Sequence, residues 1–227
     1  MPELIGNKRK VWNPLARYYV EPAGEWIAEK MKGSWITPNM ISIANTIVGI
    51  LMGLFILEGS WLSLIIWGVW VRFYHMWDVV DGHLARISNL KTTYGGFIDA
   101  IGDRLVMGVW PVFMLVRLYL DSGNLAFVWW GVAFFFGLYM YMTTSMKGDL
   151  YYRQADNDER FKSVVKGSAA SQAFLFFIDG DIQYHMMTLA AFLNRLDLYI
   201  YFYAIYFNVV WLSYVGFYSL RWMRSRT

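Results

Sequence analysis

Six stretches of this 227-residue chain are apolar over lengths near the roughly 20 residues that a helix needs to cross a bilayer. They cover about 40–57, 61–86, 93–120, 125–146, 168–193 and the segment from the turn at 194–197 to 220. The expected fold is therefore all-α, a polytopic integral membrane protein with six transmembrane helices. Hydrophobic residues make up 57% of the chain, with 12 Trp, 16 Tyr and 16 Phe, which excludes an ordinary water-soluble domain. Cysteine is absent, so disulfide and thiolate chemistry are excluded as well.

Residues 1–36 read as a flexible arm followed by an N-terminal amphipathic interfacial helix, and 37–227 as the six-helix transmembrane domain. The first dozen residues are polar and basic, and no cleavable signal is expected. Lys8, Arg9 and Lys10 precede a membrane-type sequence, which favours anionic lipid headgroups as partner and argues against nucleic acid. From Pro14 to Met31, Leu15, Tyr18, Tyr19, Ala23, Trp26, Ile27 and Met31 form the apolar set, interrupted by Pro22 and Gly24. Thr37 is placed to cap the first span and Pro38 suits its first turn. Asp179-Gly180-Asp181 interrupts the fifth span. Trp67, Trp70, Trp77, Trp110, Trp129 and Trp130 are expected at lipid-facing or interfacial positions. His75 and His83 read as packed or hydrogen-bonded residues, and Asp179 or Asp181 as partners for Arg72 or Arg104.

Six spans put both termini on one side. That side, Arg86 included, holds 16 of the 20 Lys and Arg residues, the opposite turns hold only Arg195, and the spans hold Arg72, Arg104 and Arg117. The excess sets both termini in the cytosol, with Asn124 and Arg195 on the far side.

One polar stretch stands out within this apolar chain. Asp78 to Asp103 carries four carboxylates in two pairs, Asp78/Asp81 and Asp99/Asp103, at helical spacings that put each pair on one face. Four such charges repel, and all-oxygen ligands point to hard divalent cations, Mg²⁺ or Mn²⁺. Two ions at such a site would polarise a phosphoryl group. Ionisable residues near one membrane face are costly and imply function.

The spacing resembles the signature of the CDP-alcohol phosphotransferase family, D-x2-D-G-x2-A-R-x8-G-x3-D-x3-D. Asp78, Asp81, Gly82, Ala85, Arg86, Gly95, Asp99 and Asp103 fill every fixed position. The resemblance implies transfer of a phosphoryl-alcohol group, of phosphatidyl type, from a CDP-linked donor to an acceptor alcohol, with release of CMP. Such an enzyme serves phospholipid or polar-lipid biosynthesis at the cytosolic face. Asp78, Asp81 and Asp99 would hold the metals, and Asp103 would act as general base, as a further ligand, or as both. Asp78, Asp81, Gly82, Ala85, Arg86 and Gly95, with Asn39 and Thr93, would line the nucleotide and phosphate side. Lys147, Arg153 and Lys166 are the candidates for an anionic acceptor.

Residues 143–149 read T-T-S-M-K-G-D where glycerophosphate-using relatives carry an A-R-E-type element, a departure that leaves the acceptor open. The donor is likewise open between CDP-diacylglycerol, CDP-archaeol and a soluble CDP-alcohol. Competing functions are an intramembrane prenyltransferase acting on a diphosphate and, as a non-enzyme, a cation transporter or channel. The resemblance also implies a homodimer, and Ala133 and Gly137 offer a small-residue surface for it.

Overall fold

A computed structural model describes residues 15–155 and 176–224, with side chains over 15–146 and 176–220. Lys8, Arg9 and Lys10 and the side chains of Lys147, Arg153 and Lys166 lie outside the described residues. The described chain is helical throughout: α1 (Ala16–Met31), α2 (Pro38–Glu58), α3 (Trp61–Ile87), α4 (Thr93–Ser122), α5 (Ala126–Ala155), a 3₁₀ turn (Phe176–Ile178), α6 (Gly180–Phe192) and α7 (Leu196–Arg224).

Local chemistry sets the boundaries. Thr37 caps α2 by accepting from the Met40 N–H at 3.4 Å, with Pro38 at the first helical position, and Ser60 caps α3 through the Ser63 N–H. Thr92 caps α4 by accepting from the Gly95 N–H at 2.9 Å. Asp179 caps α6 through the Asp181 N–H, so the interruption expected in the fifth apolar stretch is a helix start. Gly59 (φ 89°) and Gly123 (φ 63°) end α2 and α4 in the left-handed region that glycine adopts without a Cβ penalty.

Among the described residues, four helices are long and apolar enough to cross a bilayer: α2, α4, α5 as far as Met146, and α7 as far as Leu220. The chain is a multi-pass membrane protein. The 27-residue α3 has the length but carries Arg72, His75, Asp78, Asp81 and Arg86. The 13-residue α6 is short for a span.

Cross-helix contacts fix the directions. Gly102 of α4 lies against Thr46 of α2, Gly53 of α2 lies against Trp110, and Gly95 faces Asn39, so α2 and α4 run parallel. Antiparallel to both runs α3, packed on the other side of α2 with Ser42 opposite Asp81 and Asn45 opposite Tyr74. Helices α5 and α7 form a second parallel pair: Phe127 stacks on Tyr201, Asn208 meets Ala133, and Tyr141 packs on Tyr214. Antiparallel to α3 lies α6, where Thr188 donates to the Gly68 carbonyl and Trp61 donates to the Phe192 carbonyl. Lipid tails are as apolar as Leu, so close packing and interhelical hydrogen bonds of this kind carry the association. A Cβ on Gly102 would stand 2.1 Å from Thr46 Oγ1, which is why no larger residue fits there.

The structure shows which face of α1 packs, and it corrects three expectations. In α1 the packed stripe is Ala16, Val20, Gly24 and Ala28, at strict four-residue spacing, while Tyr18 and Trp26 are 80% and 65% exposed. The small residues are used because α1 runs parallel and close along α3, from Tyr19 beside Arg72 to Glu25 and Glu29 beside His83. Gly24 sits on the Val79 side chain and the Met76 carbonyl, and neither it nor Pro22 breaks the helix. Trp67 and Trp110 are fully buried and not lipid-facing; their rings meet edge to face at 5.4 Å, and Trp110 Nε1 donates to the Gly49 carbonyl. The Ala133–Gly137 face is occupied within the chain, since Asn208 Nδ2 donates to the Ala133 carbonyl and its side chain fills the space over Gly137.

Asp181, finally, pairs with histidines and not with Arg72 or Arg104. Its buried carboxylate lies 3.3 Å from His75 Nδ1 and 3.1 Å from His185 Nδ1, and accepts from the Ala16 N–H at 3.2 Å. The Asp181 carbonyl can only accept, so His185 carries a proton on Nδ1, and its Nε2 is hydrogen-bonded with Tyr19 Oη at 2.6 Å. Arg72 Nη1 donates in turn to Tyr19 Oη at 3.3 Å. His83 sits between Glu25 and Glu29 of α1, at 3.6 and 3.5 Å. Both histidines thus fill the packing roles expected of them.

Asp181 therefore ties α1, α3 and α6 together. Asp181→Ala strands the Ala16 N–H and removes the buried carboxylate beside His75 and His185, and is expected to cost about 3 kcal/mol. Thermal unfolding in detergent would show a lowered midpoint, with limited proteolysis releasing α1 first. An unchanged midpoint and unchanged protection of α1 would contradict this bracing role.

Candidate active site

The four motif carboxylates come from two antiparallel helices that meet at one end of the bundle. Asp78 and Asp81 lie on the last turns of α3, and Asp99 and Asp103 on the first turns of α4, joined by the short turn at 88–92. At 1.5 Å per residue, Asp103 stands about 15 Å along α4 from its start, and Asp78 about 14 Å back from the end of α3. The pairs therefore lie at one level, set in from the end of the helices.

Asp78, Asp99 and Asp103 each offer one oxygen within 4.8 Å of the others. Three ionised groups at that spacing repel by about 3 kcal/mol or more per pair, even at an effective dielectric near 20. A hard divalent cation relieves this repulsion, and an all-oxygen donor set is the one Mg²⁺ or Mn²⁺ prefers. The residues present fit such an ion.

Asp81 stands apart from this trio. Its side chain turns toward α2, where Ser42 Oγ donates to Oδ2 at 2.5 Å, and both residues are buried. Asp103 has its own hydroxyl partner: Tyr74 O–H donates to Oδ1 at 2.8 Å. Ser42 and Tyr74 are polar side chains bound directly to the motif that the sequence reading missed. The only sequence signal for Tyr74 is its position one helical turn before Asp78, and for Ser42 its position three residues after Asn39.

The rest of the motif packs around these groups. Gly82 leaves room for the Arg86 guanidinium, whose Nη1 would stand 3.4 Å from a Cβ there, and Arg86 is exposed at the end of α3. Ala85 is half-buried on the next turn. Gly95 lies against Asn39: a Cβ at that position would stand 2.7 Å from Asn39 Oδ1, and the amide would have to shift. Asn39 therefore faces the motif across α2 and α4, while Thr37 does the capping. Thr93 is exposed, and the capping at the start of α4 falls to Thr92. Arg104 follows Asp103 and reaches toward α5, with Nη1 3.9 Å from Met142 Sδ.

What the arrangement offers is three convergent carboxylates, a fourth held by a serine, an exposed Arg toward the end of α3, and small residues where neighbouring side chains come close. Similarity to known proteins agrees with it. The chain is 29% identical over 109 residues to a phosphatidylinositol phosphate synthase of Cutibacterium acnes, covering 47% of this chain and 50% of that protein. It is 33% identical over 89 residues to a CDP-diacylglycerol–glycerol-3-phosphate 3-phosphatidyltransferase of Pseudomonas fluorescens, covering 39% and 43%. The matched part thus spans about half the length of these curated relatives or less. The family model for CDP-alcohol phosphatidyltransferases matches residues 35–195, well over half of the 227-residue chain. With the complete eight-residue motif folded into one site inside that match, the chain belongs to the CDP-alcohol phosphatidyltransferase family.

Proposed function

We propose that this protein transfers a phosphoryl-alcohol group, of phosphatidyl type, from a CDP-linked donor to the hydroxyl of a polar acceptor, releasing CMP. The observation that carries this reading is the convergence of Asp78, Asp99 and Asp103 oxygens within 4.8 Å, with Gly82 and Arg86 of the motif on the turns that follow toward the end of α3. Helices α3 and α4 run unbroken past these carboxylates, unlike the broken helices of a transporter cation site.

In this reading Asp78, Asp81, Asp99 and Asp103 hold two Mg²⁺ or Mn²⁺ ions. When bound, the ions supply Lewis acidity to the diphosphate and charge neutralisation to the departing CMP. Gly82, Ala85, Gly95, Asn39 and Thr93 make room for the nucleotide and its phosphates, and Arg86 donates to phosphate oxygens. Asp103 takes the proton from the acceptor hydroxyl as its oxygen bonds to the β-phosphorus, while the bond from that phosphorus to the CMP oxygen breaks. Lys147, Arg153 and Lys166 serve an anionic acceptor. The names of the two relatives include a phosphatidylinositol phosphate and a glycerol 3-phosphate, which makes CDP-diacylglycerol the first donor to try, and phosphate-bearing polyols the first acceptors.

The bundle is taken to cross the membrane six times, as α2 to α7, behind an interfacial α1. Residues 1–36 form the interfacial unit and 37–227 the transmembrane unit. Support comes from the strictly alternating helix directions, with α2 parallel to α4 and α5 parallel to α7. The positive-inside distribution puts the termini and the site in the cytosol. A homodimer remains part of this reading, with a face other than Ala133–Gly137.

Two measurements test it. CMP release from CDP-diacylglycerol, with a panel of acceptors, is expected to require Mg²⁺ or Mn²⁺. Asp78→Asn should lower turnover at least about 100-fold, the scale on which single electrostatic contacts to a reacting centre act. Near-normal turnover of that variant in saturating Mg²⁺ would end the two-metal reading. For topology, a chain without native cysteine permits single-cysteine labelling. Asn124→Cys should react with an impermeant maleimide in intact cells, and Lys91→Cys only after permeabilisation. The reverse pattern would invert the orientation.

A further inference from the structure

We propose that Tyr74 is a positioning residue for Asp103, and that its buried hydroxyl fixes which carboxylate oxygen faces the site. This rests on the proposed function for its kinetic part and on geometry alone for the rest. Tyr74 lies outside the eight-residue motif, yet its O–H donates to Asp103 Oδ1 at 2.8 Å across α3 and α4. Oδ2 is then the oxygen left for a metal ion or for the acceptor's proton.

The tyrosine is held as firmly as any residue in the bundle. It is 1% exposed, with its ring edge to face against Trp110 at 5.3 Å and against Tyr184 at 5.9 Å. Gly49 of α2 lies under the ring, where a Cβ would come within 2.9 Å of Cε2. Asn45 Nδ2 donates to the Tyr74 carbonyl at 3.0 Å, pinning the backbone from the same helix. An aspartate carboxylate otherwise rotates broadly about its last torsion. A hydroxyl fixed on three sides removes that freedom, and a buried charged acceptor makes the bond stronger than a neutral one. Nothing else about a tyrosine at this position requires its oxygen, since phenylalanine would fill the same ring pocket.

The test is Tyr74→Phe, purified in detergent and compared with Tyr203→Phe, which removes a buried core hydroxyl away from the motif. Mn²⁺ binding to the substrate-free protein, read by electron paramagnetic resonance, should weaken at least about threefold in Y74F, because a free Asp103 must be ordered on binding. Turnover should fall at least about tenfold while KM for the CDP-linked donor stays within about twofold. In an Asp103→Asn background the Tyr74 substitution should change Mn²⁺ binding no further. Unchanged Mn²⁺ affinity in Y74F would overturn the proposal, as would an equal effect of Y74F with and without Asp103. So would a Y203F variant that loses as much. If Y74F does not fold, Tyr74→Met, which fills part of the ring space without a hydroxyl, carries the same expected values. Should the wild-type protein release no CMP from any donor, the proposed function fails, while the Mn²⁺ cycle still decides the role of Tyr74.

Discussion

Like charges brought together where water is scarce set the terms for this structure. Three carboxylate oxygens within 4.8 Å of one another are an unfavourable arrangement for a bare chain, and helices bearing them separate unless something else holds them. What holds α3 and α4 in place is α2 packed against both: Asn45 donates to the Tyr74 carbonyl and Ser42 to Asp81 on the α3 side, Trp110 donates to the Gly49 carbonyl on the α4 side, and glycines allow close approach. These contacts do not involve the ligand. They set a rigid spacing, and a divalent cation then finds its ligands in place.

Two hydroxyls divide the carboxylates into different kinds. Ser42 draws Asp81 toward α2, and Tyr74 engages one oxygen of Asp103, while Asp78 and Asp99 face each other across the α3–α4 seam. A motif of four aspartates, symmetric on paper, is asymmetric in three dimensions. That asymmetry suits chemistry in which one carboxylate receives a proton and the others hold charge.

The sequence made the aspartate cluster legible because each pair follows helical spacing, and the short turn at 88–92 leaves the second pair no other place than opposite the first. The all-helical character and four of the expected spans followed from apolar length. Contacts between helices were harder to read. Ser42 and Tyr74 touch aspartates 39 and 29 residues away, and no local pattern marks either as a partner. The aromatic count misled for Trp67 and Trp110, since a bilayer protein uses tryptophan both at interfaces and, edge to face, in its core. In α1 the large apolar residues drew the eye, but a helix lying close along another buries its smallest face, here Ala16, Val20, Gly24 and Ala28. The stripe was visible at four-residue spacing and would have been found by searching for small residues instead of hydrophobic ones.

Packing also separates the bundle into two parts with different relations to the site. Helices α1 to α4 and α6 interlock through buried polar contacts, and all four carboxylates belong to this part; Tyr184 of α6 reaches the same aromatic cluster as Tyr74 and Trp110. Helices α5 and α7 pack along each other over most of their length but touch α4 only lightly. Arg104 reaches across that seam toward Met142, one residue beyond Asp103 in sequence. The firmly packed helices keep the carboxylates in place. Separating α4 from the α5–α7 pair would break neither the Ser42–Asp81 nor the Tyr74–Asp103 hydrogen bond, because both partners of each lie in the interlocked part.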